Sequence, residues 1–243
     1  MKSASDYRPH LRAVALLAGM VFVHASAGAA ERAIDTDLLP MFGQPNITRP
    51  ENLQKADEAF IRDNTLRYKT RQAASMTFAA QGWTAMKTKQ LDSAMLRFNQ
   101  AWLLNPKNYR AFWGFGAVLS QQGRLADAIE QLETARELID EPAQRAALLA
   151  DLGTLHSEYA ARLSSTQQLE RAQRFVVANS RFAECLETDP SFAAGWREWA
   201  ISLYEQERYS EAWARVRRAR ELRAEPFPAE FLQKLSAKMA EPK

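Results

Sequence analysis

SMTFAAQGWTAMKTKQLDSAMLRFNQAWLLNPKN, residues 75–108, runs directly into YRAFWGFGAVLSQQGRLADAIEQLETARELIDEP, residues 109–142. The two segments differ in most letters, yet their small and bulky apolar residues return at a fixed interval. Phe78 recurs as Phe112, Gly82 as Gly116, Ala94 as Ala128, Phe98 as Leu132 and Ala101 as Ala135, each 34 residues later. A period of this size predicts a stacked array of helical hairpins. Gly82 and Gly116 fall where the two helices of a hairpin approach, and the alanines answer them from the facing helix. Phe98 and Leu132 fill the space between neighbouring hairpins. A single hairpin cannot bury its apolar face, so stacking must close it.

These two units resemble tetratricopeptide repeats, whose pattern runs W-x2-L-G-x2-Y, then A-x3-F, then P. In the first, Phe78 takes the Trp place, Gly82 the Gly, Ala94 and Phe98 the A-x3-F and Pro106 the Pro, while Gln81 and Ala85 depart from the large apolar places. In the second, Phe112, Phe115, Gly116 and Leu119 fill the first helix and Ala128 and Leu132 the second. Asp140 stands where Pro is expected, with Pro142 just after it. The resemblance implies an all-α, right-handed helical solenoid of about four helix-turn-helix repeats with flanking capping helices. The pattern places helices near 72–87, 91–104, 109–121 and 125–139, with turns at Lys89, Asn105-Pro106 and Gly123.

Downstream, Leu149, Leu152 and Gly153 repeat the first-helix pattern with His156 at the aromatic place, and Ala178, Phe182, Cys185 and Pro190 follow on a second helix. Gly153 to Ala200 spans 47 residues, and 47 − 34 leaves 13 extra, falling around Ser157–Arg174 with Ser164-Ser165-Thr166 as the turn. Both helices of this hairpin should be about two turns longer than the others, so its tip should protrude. Trp196, Trp199, Ala200 and Leu203, then Tyr209, Ala212, Val216 and Ala219, form a fourth unit. The repeats are therefore 75–108, 109–142, 146–192 with the insertion, and 193–226, within 75–226. After Pro226 and Pro228, residues 227–243 give a short capping helix and tail through Phe231, Leu232 and Leu235. Residues 51–74 read as an N-terminal capping helix, opened by Thr48 and Pro50 and striped by Leu53, Ala56, Ala59 and Phe60.

Ahead of it, residues 31–50 form an extended arm, because Pro40, Pro45 and Pro50 with Gly43 exclude regular helix. Its apolar residues Leu38, Leu39, Met41, Phe42 and Ile47 predict packing on the solenoid. Residues 1–30 read as a cleavable secretory signal: Arg8 and Arg12, the apolar run Ala13–Val23, and the small residues Ala25–Ala30. Cleavage is possible after Ala27, Ala29 or Ala30, with Ala30 preferred. This predicts a periplasmic protein, or alternatively a secreted one, with no stable membrane insertion of the mature chain.

The formal charge of +3 comes partly from this leader. Without Lys2, Arg8, Arg12 and Asp6 the balance is 32 − 3 = 29 basic against 29 − 1 = 28 acidic residues, which gives no support for nucleic-acid binding. Beyond the leader His156 is the only histidine, and Cys185 the only cysteine of the chain; one of each makes no metal site. Cys185 sits in a small-residue place and reads as a buried structural thiol. No phosphate-binding loop, nucleophile elbow or HExxH is present, so no catalytic, cofactor-binding or metal residues are assigned and no enzyme is expected. Arg215, Arg217, Arg218, Arg220 and Arg223 read as a solvated helix face, with an acidic partner or anionic surface as the alternative.

The resemblance implies a non-catalytic scaffold that binds a protein or peptide through a concave groove lined by the first helix of each hairpin, in envelope assembly or secretion. Ala79, Trp83, Arg110, Trp113, Ala117, Ala150, Thr154, Arg197, Ile201 and Tyr204 are the groove positions so implied. They predict an aromatic, apolar surface with Arg110 and Arg197 as its cations, suited to an extended Pro- or Leu-containing segment. The chain carries such a segment at residues 38–42. The alternative is therefore a structural subunit of a larger envelope complex whose groove is filled by its own arm.

Overall fold

The computed structural model describes residues 35–242. The leader and its cleavage positions lie outside the described residues. Two 3-10 turns, Thr36–Leu38 and Pro40–Gly43, precede ten α-helices: α1 (Glu51–Tyr68), α2 (Arg71–Lys87), α3 (Leu91–Leu104), α4 (Tyr109–Gln121), α5 (Leu125–Leu138), α6 (Pro142–Arg162), α7 (Gln168–Thr188), α8 (Ala193–Glu205), α9 (Tyr209–Glu221) and α10 (Ala229–Lys238). Helices α2–α3, α4–α5, α6–α7 and α8–α9 pair as hairpins, and successive hairpins stack. The described residues form an all-α helical solenoid.

The short hairpins turn by one device. A residue in the left-handed region follows the first helix: Lys89 (φ 57°), Gly123 (φ 79°) and Glu207 (φ 60°). The next N–H then reaches back to close the helix end, Gln90 to Ala85 O at 3.0 Å, Arg124 to Leu119 O and Arg208 to Leu203 O at 2.9 Å. Only the second turn has glycine, for which a positive φ carries no steric cost.

The stack is held open and filled by one recurrent contact. A Cβ on Gly82 would lie 2.5 Å from the Phe98 ring. One on Gly114, in the next hairpin, would strike the same ring. Phe98 is thus wedged between α2 and α4, fully buried, with Trp83 at 5.5 Å and Phe115 at 6.4 Å between ring centroids. Gly116 likewise faces Leu132, and a Cβ would lie 2.8 Å from the Phe182 ring if added to Gly153 and 2.8 Å from the Cys185 sulfur if added to Gly195. Cys185 is fully buried, and burial pushes its thiol up to about 12.

Both helices of the third hairpin have 21 residues, against 13 or 14 in α3, α4, α5, α8 and α9. The first begins at Pro142, earlier than the repeat spacing implied, because proline's fixed φ and missing N–H suit the first helical position. Glu133 of α5 ties this hairpin down. It accepts hydrogen bonds from Arg136 at 2.6 Å and from Arg181 of α7 at 2.9 Å, while the buried His156 imidazole lies 3.8 Å away. Burial would raise the Glu133 carboxyl, but the nearby His156 and the two arginines outweigh it and hold the pKa at about 2.

The ends are covered from both sides. Helix α1 lays Phe60 and Tyr68 against Phe78, with ring centroids 5.2 and 6.3 Å apart. It ends at Tyr68, because Lys69 turns left-handed (φ 71°) and the Thr70 hydroxyl caps α2 by accepting from the Ala73 N–H. At the other end Phe227, Phe231 and Leu235 join Leu203 and Val216, and the Trp213 indole donates to Met239 O at 2.9 Å. Arg215, expected in solvent, instead lies 4.2 Å from the Trp199 ring and 5.3 Å from that of Trp196. The guanidinium carbon lies over both indoles, within reach of a cation–π attraction.

The arm is not an extended strand. Its two 3-10 turns pack on α3, a second helix of a hairpin. Asn99, fully buried on α3, reads this backbone directly: its amide donates to Asp37 O at 2.9 Å and Leu39 O at 2.8 Å, and its carbonyl accepts from the Phe42 N–H at 3.2 Å. Arg49 stacks 3.8 Å over Phe42 and pairs with Asp57 of α1 at 2.5 Å. Gln131 and Glu130 of α5 face residues 39–47 across a small cleft. Residues 38–42 therefore occupy the second-helix side, and not the first-helix groove that the alternative reading gave them. Three backbone groups matched by one carboxamide fix them there, which a groove of aromatic rings would not provide.

Two outcomes test this packing. Phe98→Ala should cost about 3–5 kcal/mol. Gly114→Ala should also destabilise, although alanine favours helix by about 1 kcal/mol, since its methyl meets the Phe98 ring; urea denaturation measures both. Asn99→Ala should cost about 1–3 kcal/mol by stranding buried backbone groups, and limited proteolysis should then cut within residues 35–49 before the helices are attacked.

Candidate functional site

The first helices α2, α4, α6 and α8 carry every groove position named from the sequence. The structure brings four of them together. Trp83 and Trp113 meet edge to face, 5.8 Å between ring centroids at 80°. They stand at complementary places in successive repeats: Trp113 lies 34 residues after Ala79, and Ala117 lies 34 after Trp83. Each large ring is thus set beside a small residue in the equivalent position of its neighbour. Ala117 and Thr154 then line a pocket of about 190 Å3 with Trp113, Met86, Asp151 and Glu158. Trp83 and Trp113 are both only half-buried.

The others are placed differently. Ala79 is fully buried in the core and Ala150 nearly so. Arg110 pairs with Glu141 at 2.5 Å and lies 5.1 Å from the Tyr109 ring. Arg197 pairs with its neighbour Glu198. Both arginines expected as the groove's cations are thus engaged by carboxylates. Ile201 and Tyr204 pack into the C-terminal cluster, Tyr204 against Phe231 at 5.8 Å.

The residue that sequence reading missed is Asp151. Its carboxylate accepts a hydrogen bond from the Trp113 indole N–H at 2.8 Å, bridging α4 and α6. It has no cationic partner within 4 Å among the described residues. Although water reaches it, the walls of neighbouring hairpins thin its hydration and push its pKa up to about 6; the Trp113 N–H opposes this and Glu198 reinforces it. Glu198 is likewise raised, first by burial, against Arg197 and with Glu158 adding to the rise. The surface around Trp113 is thus aromatic and acidic, where an aromatic surface with cations was expected. The one sequence signal available was a carboxylate, Asp151, two residues before Gly153, at the place Gly114 holds before Gly116.

His156 is buried beside Glu133, and Cys185 lies in a separate core cluster. Among the described residues no three His, Cys, Asp or Glu side chains gather as a metal site. Among them too, no helix is long and apolar enough to cross a membrane.

Residues 85–152 match the model of the tetratricopeptide repeat family. The match covers the middle of the solenoid, and repeats of this family are protein-interaction modules, generally non-catalytic. No curated protein matches the sequence. Among solved structures it is similar to one titled "Functional Characterization of Pseudomonas Aeruginosa pilF", at 19% identity, covering 77% of this chain and 86% of that one, with a TM-score of 0.49. It is also similar to YrrB, described as "a TPR protein with an unusual peptide-binding site", at 20% identity, covering 75% of this chain and 98% of that one, with a TM-score of 0.34.

The Trp113–Asp151 bond gives a direct readout. The Trp113 indole N–H resonance should shift with a midpoint near the pKa of about 6 raised by enclosure at Asp151. In Asp151→Asn, which keeps an acceptor oxygen but no titrating group, that step should vanish.

Proposed function

We propose that this protein is an exported, non-catalytic scaffold that docks an extended segment of a protein partner on the face formed by its first helices. The observation that carries the reading is the half-buried Trp83–Trp113 pair beside an open pocket. Two indoles left accessible on a rigid helical platform offer large contact area at low conformational cost. The leader-like residues 1–30 support a periplasmic location, or alternatively secretion, and with it a role in envelope assembly or secretion.

A second reading, a structural subunit of a larger envelope complex, draws on a different surface. Leu169 and Val176, one heptad apart on α7, are 76% and 68% exposed on the long hairpin. They lie on one helical face, close to the turn of that hairpin.

Affinity capture from the native envelope separates the two. Trp113→Ala, with an unchanged melting curve, should lose the proteins that the wild-type chain retains. Full retention by that variant, together with loss on Leu169→Ser and Val176→Ser, would move the docking surface to α7.

A further inference from the structure

We propose that the pocket lined by Trp113, Asp151 and Glu158 holds a lysine or arginine side chain of the docked segment. This rests on the reading of the first-helix face as the docking surface, and supplies the chemistry of the occupant. The residues lining the pocket include two carboxylates, Asp151 and Glu158, and no lysine, arginine or histidine. Asp151 spends one oxygen on the Trp113 N–H and has no ion-pair partner among the described residues. Among the described residues Glu158 has only the exposed Arg162, at 3.9 Å, one turn toward the helix end. The nearest cation on α8, Arg197, is engaged by Glu198, whose own carboxylate adds to the negative field around Asp151.

The remaining walls suit a long organic cation. Met86, Trp113, Leu132 and Leu155 offer apolar contact for a methylene stem, and an indole attracts the charged head as well. A compact metal ion fits poorly. Asp151 and Glu158 are seven residues apart on one helix, roughly 10 Å along its axis at about 1.5 Å per residue. Ligands to a hard divalent ion must converge to about 2.3–2.6 Å from it. A flexible side chain can run along that interval, its stem on the aromatic wall and its charge near Asp151. The Pro- or Leu-rich segment expected from the sequence leaves the Asp151 carboxylate without a counter-charge, and its apolar groups would displace water from that carboxylate without replacing its hydrogen bonds.

The test uses the full chain and two capped proline–alanine peptides that differ at one central residue, arginine in one and its neutral isostere citrulline in the other. Calorimetric titration should show the arginine peptide binding at least about tenfold more tightly, a difference of about 1.4 kcal/mol. Asp151→Asn should abolish that preference while leaving the thermal melt in place. Glu158→Gln, at an exposed position, should reduce it by a smaller factor. Equal binding of the two peptides, binding of neither, or a preference that survives Asp151→Asn would overturn the assignment. Loss of captured proteins on Trp113→Ala in the presence of any of these results would leave the docking face standing and remove only the cation.

Discussion

Everything in this solenoid depends on Phe98 fitting between two glycines. Gly82 in its own hairpin and Gly114 in the next one leave room for the same ring, so a single side chain sets the spacing both within a hairpin and between hairpins. Close-packed interiors transmit such constraints, since a methyl group placed in the gap must move a helix. The theme recurs with smaller or different fillers, Leu132 against Gly116 and Phe182 against Gly153. The array is therefore not a row of identical bricks. It is a series of locally adjusted contacts that keep four first helices on one side.

Two polar anchors then decide what else the second-helix side holds. Asn99 and Glu133 occupy equivalent places, 34 residues apart, beside the ring or side chain that fills each hairpin. Asn99 binds the arm through three backbone hydrogen bonds, and Glu133 binds Arg136 on its own helix and Arg181 on the long hairpin. The same position in successive repeats thus recruits first a flanking segment and then the next layer. A neutral carboxamide matches backbone donors and acceptors together, whereas a carboxylate accepts only and selects guanidinium groups. With the arm fixed on α3, the first-helix side is left to other contacts.

On that side the chemistry turns on one long-range hydrogen bond. The Trp113 N–H to Asp151 contact joins α4 to α6 across 38 residues of sequence. It orients the indole, places a carboxylate at the pocket, and leaves that carboxylate without a counter-charge among the described residues. The two arginines that the family resemblance placed in the groove are neutralised by Glu141 and Glu198. With both arginines paired, the carboxylate beside Trp113 is the charge left uncompensated among the described residues.

The 34-residue period determined the hairpins, their turns and the small-residue places, because each of these reports spacing along one helix or between its immediate neighbours. The same local logic identified Cys185 as a buried thiol and the longer third hairpin as an insertion. It also located Trp83 and Trp113 on a first-helix stripe. Tertiary structure alone decided the rest. Whether Ala79 is covered, where residues 38–42 lie, and which acid meets Arg110, Arg197 or Trp113 all depend on how one hairpin is set against another. Asn99 reaches Asp37 and Leu39 across 62 and 60 residues, and Arg110 reaches Glu141 across 31. Such pairings leave no periodic trace in the chain, since a charged residue on an exposed stripe looks the same whether its partner lies on the next helix or in solvent.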